Sequence, residues 1–419
     1  MQAVCRCAHG ASRRALFPTT TTTSRNINSS LKNAAFFQLL LSEGPLQQQH
    51  RAFSSKYMVT NENHGLDLSD PYCNVTPHIA SRVGVNLHQR EHHPLCTIKN
   101  MIQDYFPTAN RFDDLHPVVS VANNFDLLRI PPDHVSRQVT DTYYLSKDSL
   151  LRCHTSAHQV DLLKAEHQEF LVTGDVYRRD EIDASHYPVF HQMEGVKLFD
   201  ATVGEKAVEE DLKHQLEGMA KTLFGEDAPM RWVDAYFPFT HPSLELEVYY
   251  QDDWLEVLGC GVIHPEILQN AGFDPKETSG WAFGLGLERL AMVLFQIPDI
   301  RLFWSTDERF HNQFEDGKIT VFEPYSKYPA CLKDMSFWLN EKETFVENDL
   351  SELVREVAGD LVEQLALIDS FVHPMTGRTS HCYRISYRSM DRSLTNEEID
   401  ALQEQVRDLT QQKLGVELR

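Results

Sequence analysis

The stretch LVTGDVYRRDEIDASHYPVFHQMEGVKLF, Leu171 to Phe199, sets two apolar segments around a polar loop that carries paired arginines. Val172 to Arg178 and Pro188 to Val196 are rich in β-branched and aromatic residues, and the turn formers fall between Asp180 and His186. The spacing therefore predicts an antiparallel hairpin with a long tip. Arg178, Arg179 and His186 offer cationic and hydrogen-bonding groups suited to a polyanion such as a nucleoside triphosphate, because a guanidinium grips phosphate oxygens two at a time. Phe190, Gln192 and Glu194 alternate along the second segment, which puts a ring, an amide and a carboxylate on one strand face. Such a face can bind an ammonium group. Any one of these residues alone would be an ordinary group on a solvated hairpin; the set together points to a site.

Upstream, Leu150 to Gln159 (LLRCHTSAHQ) enters a helix through polar residues. Thr155 or Ser156 can cap it, and the free amides of a helix start favour a carboxylate. His154 and His158 are four apart but lack the following Glu of a metalloprotease helix, which argues against a metal there. Leu95, Ile98, Ile102 and Phe106 recur at helical spacing over His93 to Phe106, whereas residues 61–93 read as a surface-lying or loosely helical lead-in. Thr142 to Leu145 is strand-like.

Downstream, Val208, Leu212, Leu216, Met219 and Leu223 form the apolar stripe of an amphipathic helix that packs a core. Phe237 and Phe239 fall on one face of an extended segment, where they can stack on an aromatic side chain. Asp252 to Ile267 reads as a strand running into a glycine-rich turn, and Glu256 is the one acid in its apolar part; a buried acid needs a partner. WAFGLGLERLAM, Trp281 to Met292, holds Gly284 and Gly286 ahead of a helix starting near Glu288, without the third glycine of a dinucleotide fold. From about Phe322 the composition changes, and residues 322–419 read as a separate α+β module with two helical and two strand-like segments. There, residues 371–390 contain no acid, and Arg384 and Arg388, four apart in HCYRISYR, make a local positive strip.

The hairpin, with Tyr177-Arg178-Arg179-Asp180 at its first strand end and SHYPVFHQMEG after it, resembles the second signature motif of class II aminoacyl-tRNA synthetases in their single-chain organellar phenylalanyl form. Residues 123–145 resemble the first motif, Trp281 to Met292 the third, and the tail a ferredoxin-like anticodon-binding domain. The resemblance covers roughly residues 60–419. It implies an α+β fold: a catalytic antiparallel sheet with flanking helices over 57–321, then the anticodon-binding domain over 322–419. It also implies a ligase that activates phenylalanine with ATP and Mg2+ and transfers it to the terminal 2′-hydroxyl of tRNA(Phe), acting as a monomer. The amino acid would lie against Ser156, Ala157, His158 and Gln159, with His154 adjacent. Ser185, His186, Tyr187, Phe190, Gln192, Met193 and Glu194 would line the hairpin side, and Phe237, Phe239, Ala282 and Phe283 the ring pocket. Arg178 would meet the α-phosphate and Arg289 the γ-phosphate, Phe190 would stack on adenine, and Glu256 would sit near the metal or substrate. Arg384 and Arg388 would contact RNA.

The bulk composition agrees with this. At 419 residues with 42% hydrophobic content, 19 Gly and 19 Pro, the chain has room for two or three domains and a sizeable core. No apolar run approaches the roughly 20 residues of a membrane span, so no membrane role is expected. The eight cysteines are scattered without a CxxC pair, which predicts neither disulfides nor zinc. Residues 1–56 carry seven Lys or Arg against one acid, while the remainder has 32 basic and 60 acidic residues. That acid-poor, Ser/Thr-rich start predicts a transit peptide and a mitochondrial matrix destination, with plastid delivery open as well.

Overall fold

The computed structural model describes residues 66–324, 328–340 and 344–419; the transit segment expected over residues 1–56 lies outside them. Two short strands, β1 (Asn110–Phe112) and β2 (Val118–Ser120), come first, and β3 (Ser149–Leu151) pairs with β2 in a separate two-stranded sheet. The hairpin follows as β4 (Glu169–Tyr177) and β5 (Val189–Asp200), longer than the apolar pattern predicted, with Val172 opposite Glu194 and Val176 opposite Phe190. Then come β6 (Met230–Ala235), β7 (Thr240–Tyr250), β8 (Asp253–Ile263) and β9 (Thr278–Gly286). They complete a seven-stranded sheet of order β1-β4-β5-β9-β8-β7-β6, in which only the β1–β4 pair is parallel.

Both faces of this sheet are covered, which is why its central strands are apolar nearly throughout. On one side lie α1 (Pro94–Tyr105), α2 (Glu205–Phe224) and α3 (Leu287–Leu294). The predicted stripes of α1 and α2 are all buried, and Leu171 and Met193 point to them. On the other side Phe170, Val172, Val196 and Ala282 meet a smaller cluster with Phe125 and Leu163. The alternation of strand side chains thus separates neighbours into different cores. Residues 66–93 run over the surface with one short helix, Pro77–Ala80, and are pinned at intervals: Leu66, Ile79, Val83 and Leu87 are buried in the main core, and His88 hydrogen-bonds the Asp113 carbonyl at 2.8 Å. Of Thr142 to Leu145, expected as strand, only Tyr144 makes a bridge, to Leu150.

The tail has four strands where two were expected: β10 (Cys331–Trp338), β11 (Val362–Val372), β12 (Thr379–Tyr387) and β13 (Glu417–Leu418), in order β11-β12-β10-β13. Helices α4 (Glu347–Ala358) and α5 (Asn396–Leu414) supply Leu353, Val354, Ile399 and Val406 to a core shared with Met335, Phe337, Tyr383 and Ile385. The module is not self-contained, because Ile182 of the hairpin loop is buried in that same core. Around it Arg355 donates to the carbonyls of Asp180 and Glu181, and Tyr143 donates its hydroxyl to Glu352 at 2.7 Å.

Candidate active site

The floor of the site is a row of backbone laid bare by glycine. Across the sheet, Val172, Glu194, Gly284, Gly259 and Glu245 stand opposite one another in turn, and two residues along, on the same face, come Gly174, Gln192 and Gly286. A Cβ at Gly284 or Gly286 would meet nothing within 4 Å, so the space above both is open. Gly259 and Gly261 do not make the expected turn; they sit inside the continuous strand β8. A Cβ on Gly259 would fall 2.6 Å from the Phe237 ring, so this glycine lets an aromatic side chain approach the strand. Phe237 and Phe239 stack on each other, with centroids 5.9 Å apart and planes 11° from parallel.

Glu194 is 2% exposed, and neither carboxylate oxygen has a hydrogen-bond partner of normal geometry. Burial pushes its pKa up to about 8, and the Ser156 hydroxyl offsets only part of that shift. An unpartnered buried carboxylate is costly in a folded protein unless a ligand completes it. His154 is similar in kind: both ring nitrogens are shut away without partners, and burial, aided by the Arg178 charge, lowers its pKa to about 3. Arg178 donates through Nε to the Cys153 carbonyl at 2.9 Å, with its guanidinium 5.1 Å from the Phe190 ring centroid. The expected helix entry is a tight turn, Thr155–His158, leading into the short helix Gln159–Lys164, and no side chain caps it.

Arg289, at the start of α3, is 56% exposed and donates to Glu256 at 3.4 Å. Glu256 is correspondingly exposed and not buried as its apolar strand suggested; the acid alternates outward. Beside it, burial followed by the charge of Glu256 raises the pKa of Glu245. His186 hydrogen-bonds Asp183 at 2.8 Å, which raises the pKa of His186, and Ser185 donates to the same carboxylate at 2.9 Å.

Several candidates are directed elsewhere. Met193 and Phe283 face the helical core, one residue out of phase with the site, and Phe283 stacks on Phe106 at 5.7 Å. Ala157 is packed into the smaller core. His158 takes a hydrogen bond from Arg152 at 2.8 Å, and burial then holds its pKa well below the usual range. Arg179 pairs with Asp349 of the tail at 3.1 Å, and Tyr187 donates to Asp360 at 2.6 Å. Arg388 lies one residue past β12, bound to Glu363 at 3.1 Å where the tail meets the sheet domain, so it shares no free strip with Arg384. Arg384 itself makes a two-point pair with Asp334 at 2.8 Å.

Two buried pairs escaped the sequence reading. Glu288 accepts the backbone N–H of His191 and faces its Nδ1, each at 2.7 Å, joining the strand of Phe190 and Gln192 to the helix of Arg289. Arg152 donates to Asp175 at 2.7 Å and so ties the His154–His158 turn to β4; Gly174 leaves room for its guanidinium. The lone acid in LVTGDVY was the available signal for Asp175.

Residues 79–314 match the family described as tRNA synthetases class II core domain (F), and residues 326–419 match the Ferredoxin-fold anticodon binding domain. The fold is that of a class II aminoacyl-tRNA synthetase. The chain is 56% identical to the chloroplastic/mitochondrial phenylalanine–tRNA ligase of Arabidopsis thaliana, over 84% of this chain and 83% of that one. It is 50% identical to the mitochondrial enzyme of Dictyostelium discoideum (83% and 89% covered) and 46% identical to that of Mus musculus (88% and 94%). The chain belongs to the phenylalanine–tRNA ligases.

Proposed function

We infer that this ligase forms its carbon–oxygen ester in two steps on the glycine floor. The phenylalanine carboxylate attacks the α-phosphate of ATP, releasing pyrophosphate, and the 2′-hydroxyl of the terminal tRNA ribose then takes the acyl group from the adenylate. The observation that carries the reading is Glu194, a buried carboxylate that no cation among the described residues pairs with and that only the Ser156 hydroxyl approaches. An α-ammonium group supplies the missing donors and charge, with Gln192 and Ser156 beside it. The ring then extends toward Phe237, Phe239 and Ala282.

Arg178 lies over Phe190, so adenine stacked on that ring would bring the α-phosphate to this guanidinium, and Arg289 would hold the γ-phosphate. Both act by placing fixed positive charge where negative charge develops, and no covalent enzyme intermediate is needed. His154, kept neutral by burial, adds no charge that would repel the substrate ammonium. Among the described residues no cluster of three or more metal-ligating side chains occurs, but magnesium held chiefly by phosphates needs only one or two carboxylates. Glu245 and Glu256 fit that requirement, and the ion would neutralise phosphate charge.

The names of the relatives support a mitochondrial location; within it the matrix is the proposed site, with plastid delivery as a second destination. A monomer is proposed, since no described site residue needs a second copy. The test is phenylalanine-dependent ATP–pyrophosphate exchange followed by charging of tRNA(Phe). Exchange with no amino acid would leave only a non-catalytic RNA-binding role.

A further inference from the structure

The loop that carries Phe237 and Phe239 has little backbone structure of its own. Tyr236 to Phe239 falls between the end of β6 and the start of β7, and Pro238 has no N–H to donate. What holds the loop comes largely from other segments. Phe237 donates its backbone N–H to the Ser243 hydroxyl at 3.2 Å, and the Phe239 carbonyl accepts the His264 N–H at 3.0 Å. The carbonyl between the two rings, that of Pro238, accepts from Nη1 of Arg129 at 2.6 Å, a residue 109 positions upstream.

Arg129 is set up for that reach. It closes the turn Asp126–Leu128 in the left-handed conformation, φ +60°, which a residue with a Cβ rarely adopts and keeps only where its surroundings dictate it. Its neighbours Leu128 and Ile130 are buried in the cluster that holds Ala282, and the Asn270 side chain donates to the Leu127 carbonyl at 2.9 Å. The turn is thus fixed before and after Arg129. Through Nε the same guanidinium pairs with Glu266, in the first turn of the short helix Pro265–Asn270, whose preceding residue, His264, donates to Phe239. One planar group therefore ties together the turn, the ring loop and the segment that follows β8, using two donors of fixed relative geometry. The Arg129 side chain is 33% exposed and that of Glu266 55%, and an ion pair so open to water contributes little stability. Placement is the task left to it.

We propose that Arg129 is a positioning residue that sets the selectivity of the ring pocket: its two-point clamp on Pro238 and Glu266 fixes where Phe237 and Phe239 stand. The inference rests on the reading that these two rings and Ala282 hold the phenylalanine side chain. Both rings flank the clamped carbonyl, so slack there moves both, and a displacement of about 1 Å remote from the chemistry can cost on the order of 100-fold. An apolar pocket discriminates by fit, so a looser slot admits a branched aliphatic side chain beside the ring it was shaped for.

The test is ATP–pyrophosphate exchange by the full chain with phenylalanine and with leucine. Arg129→Gly removes the guanidinium and suits the left-handed turn, so the variant should fold with a thermal midpoint close to the parent's. Its KM for phenylalanine should rise by roughly 10- to 100-fold. Its preference for phenylalanine over leucine should fall by roughly tenfold, while kcat and the KM for ATP stay at parent values. Parent-like KM and selectivity in a folded Arg129→Gly protein overturn the inference. So does a loss shared by kcat, both KM values and the thermal midpoint, which would make the contact merely structural. Phe237→Ala separates this inference from the reading beneath it. Parent-like use of phenylalanine by that variant would overturn the ring pocket itself, whereas impaired use alongside a parent-like Arg129→Gly protein overturns the clamp alone.

Discussion

Leu365 of the tail donates its backbone N–H to the carbonyl of Ile182 at 3.1 Å, and the Ile182 side chain is buried in the tail's own core. The loop between β4 and β5, which carries Ser185 and His186, is thus held from outside the catalytic sheet. A fragment ending at residue 324 should lose adenylate formation by more than about tenfold, and not merely tRNA charging. In the full chain Ile182→Ala should cost about 2–5 kcal/mol, the usual penalty for emptying a buried aliphatic site. Calorimetry would register it as a lower midpoint for the tail. Parent-level pyrophosphate exchange by the fragment would mean that the loop holds its shape unaided.

Glu194 makes phenylalanine binding depend on pH. Its folded pKa of about 8 lies above the ordinary 4.5, so its contribution to stability is complete below about pH 4.5 and is lost as pH rises through 8. The ligand needs the ionised form. The KM for phenylalanine should fall by about tenfold per pH unit from pH 6 and level off near 8. Glu194→Gln should bind phenylalanine weakly with no such slope, and the unliganded variant should melt higher than the parent at pH 8. A parent KM that is flat over this range would refute the ammonium site.

Among the described residues Arg289 is in hydrogen-bond reach of Glu256, and its side chain is largely exposed. Arg289→Ala should leave the thermal midpoint unchanged and cost about 3 kcal/mol in use of limiting ATP, near 100-fold, as for other single donors to developing charge. Exchange kinetics at varied ATP would measure it, and parent-like values would remove Arg289 from the phosphate site.

Ala282 is buried opposite Val196 and Gly261, in the cluster against which Phe239 packs. An apolar pocket rejects an added hydroxyl by only about 100-fold. Tyrosine should therefore be activated measurably, more by Ala282→Gly and less by Ala282→Val. Competition between the two amino acids in exchange assays gives the ratio; a ratio indifferent to both changes would place the ring elsewhere.

The hairpin and the glycine segment before Arg289 were legible in the sequence because their signals are local: β-branched runs, a turn-rich tip, glycines ahead of a helix. The parity of Phe190, Gln192 and Glu194 was legible for the same reason. What failed depended on partners remote in sequence. Arg179, Tyr187 and Arg388 look like free polar groups until Asp349, Asp360 and Glu363 arrive from the other lobe. Met193 and Phe283 were drawn in by neighbours on the opposite strand face, although the period of two places them in the core. Residues 66–93 lack periodicity yet send Leu66, Val75, Ile79, Val83 and Leu87 into the main core, since their short turns are shaped by the surface they cover.

The Glu288–His191 clasp bears on how this enzyme can be rebuilt. Its two ends lie 97 positions apart, each within a segment that looks transferable by itself. Grafting only one of them from a relative with a different residue at the other end would bury a carboxylate or an imidazole with nothing opposite. The two segments are therefore a single unit of recombination. Crossovers placed between them should yield inactive hybrids wherever this pair is mismatched, however similar the surrounding sequences.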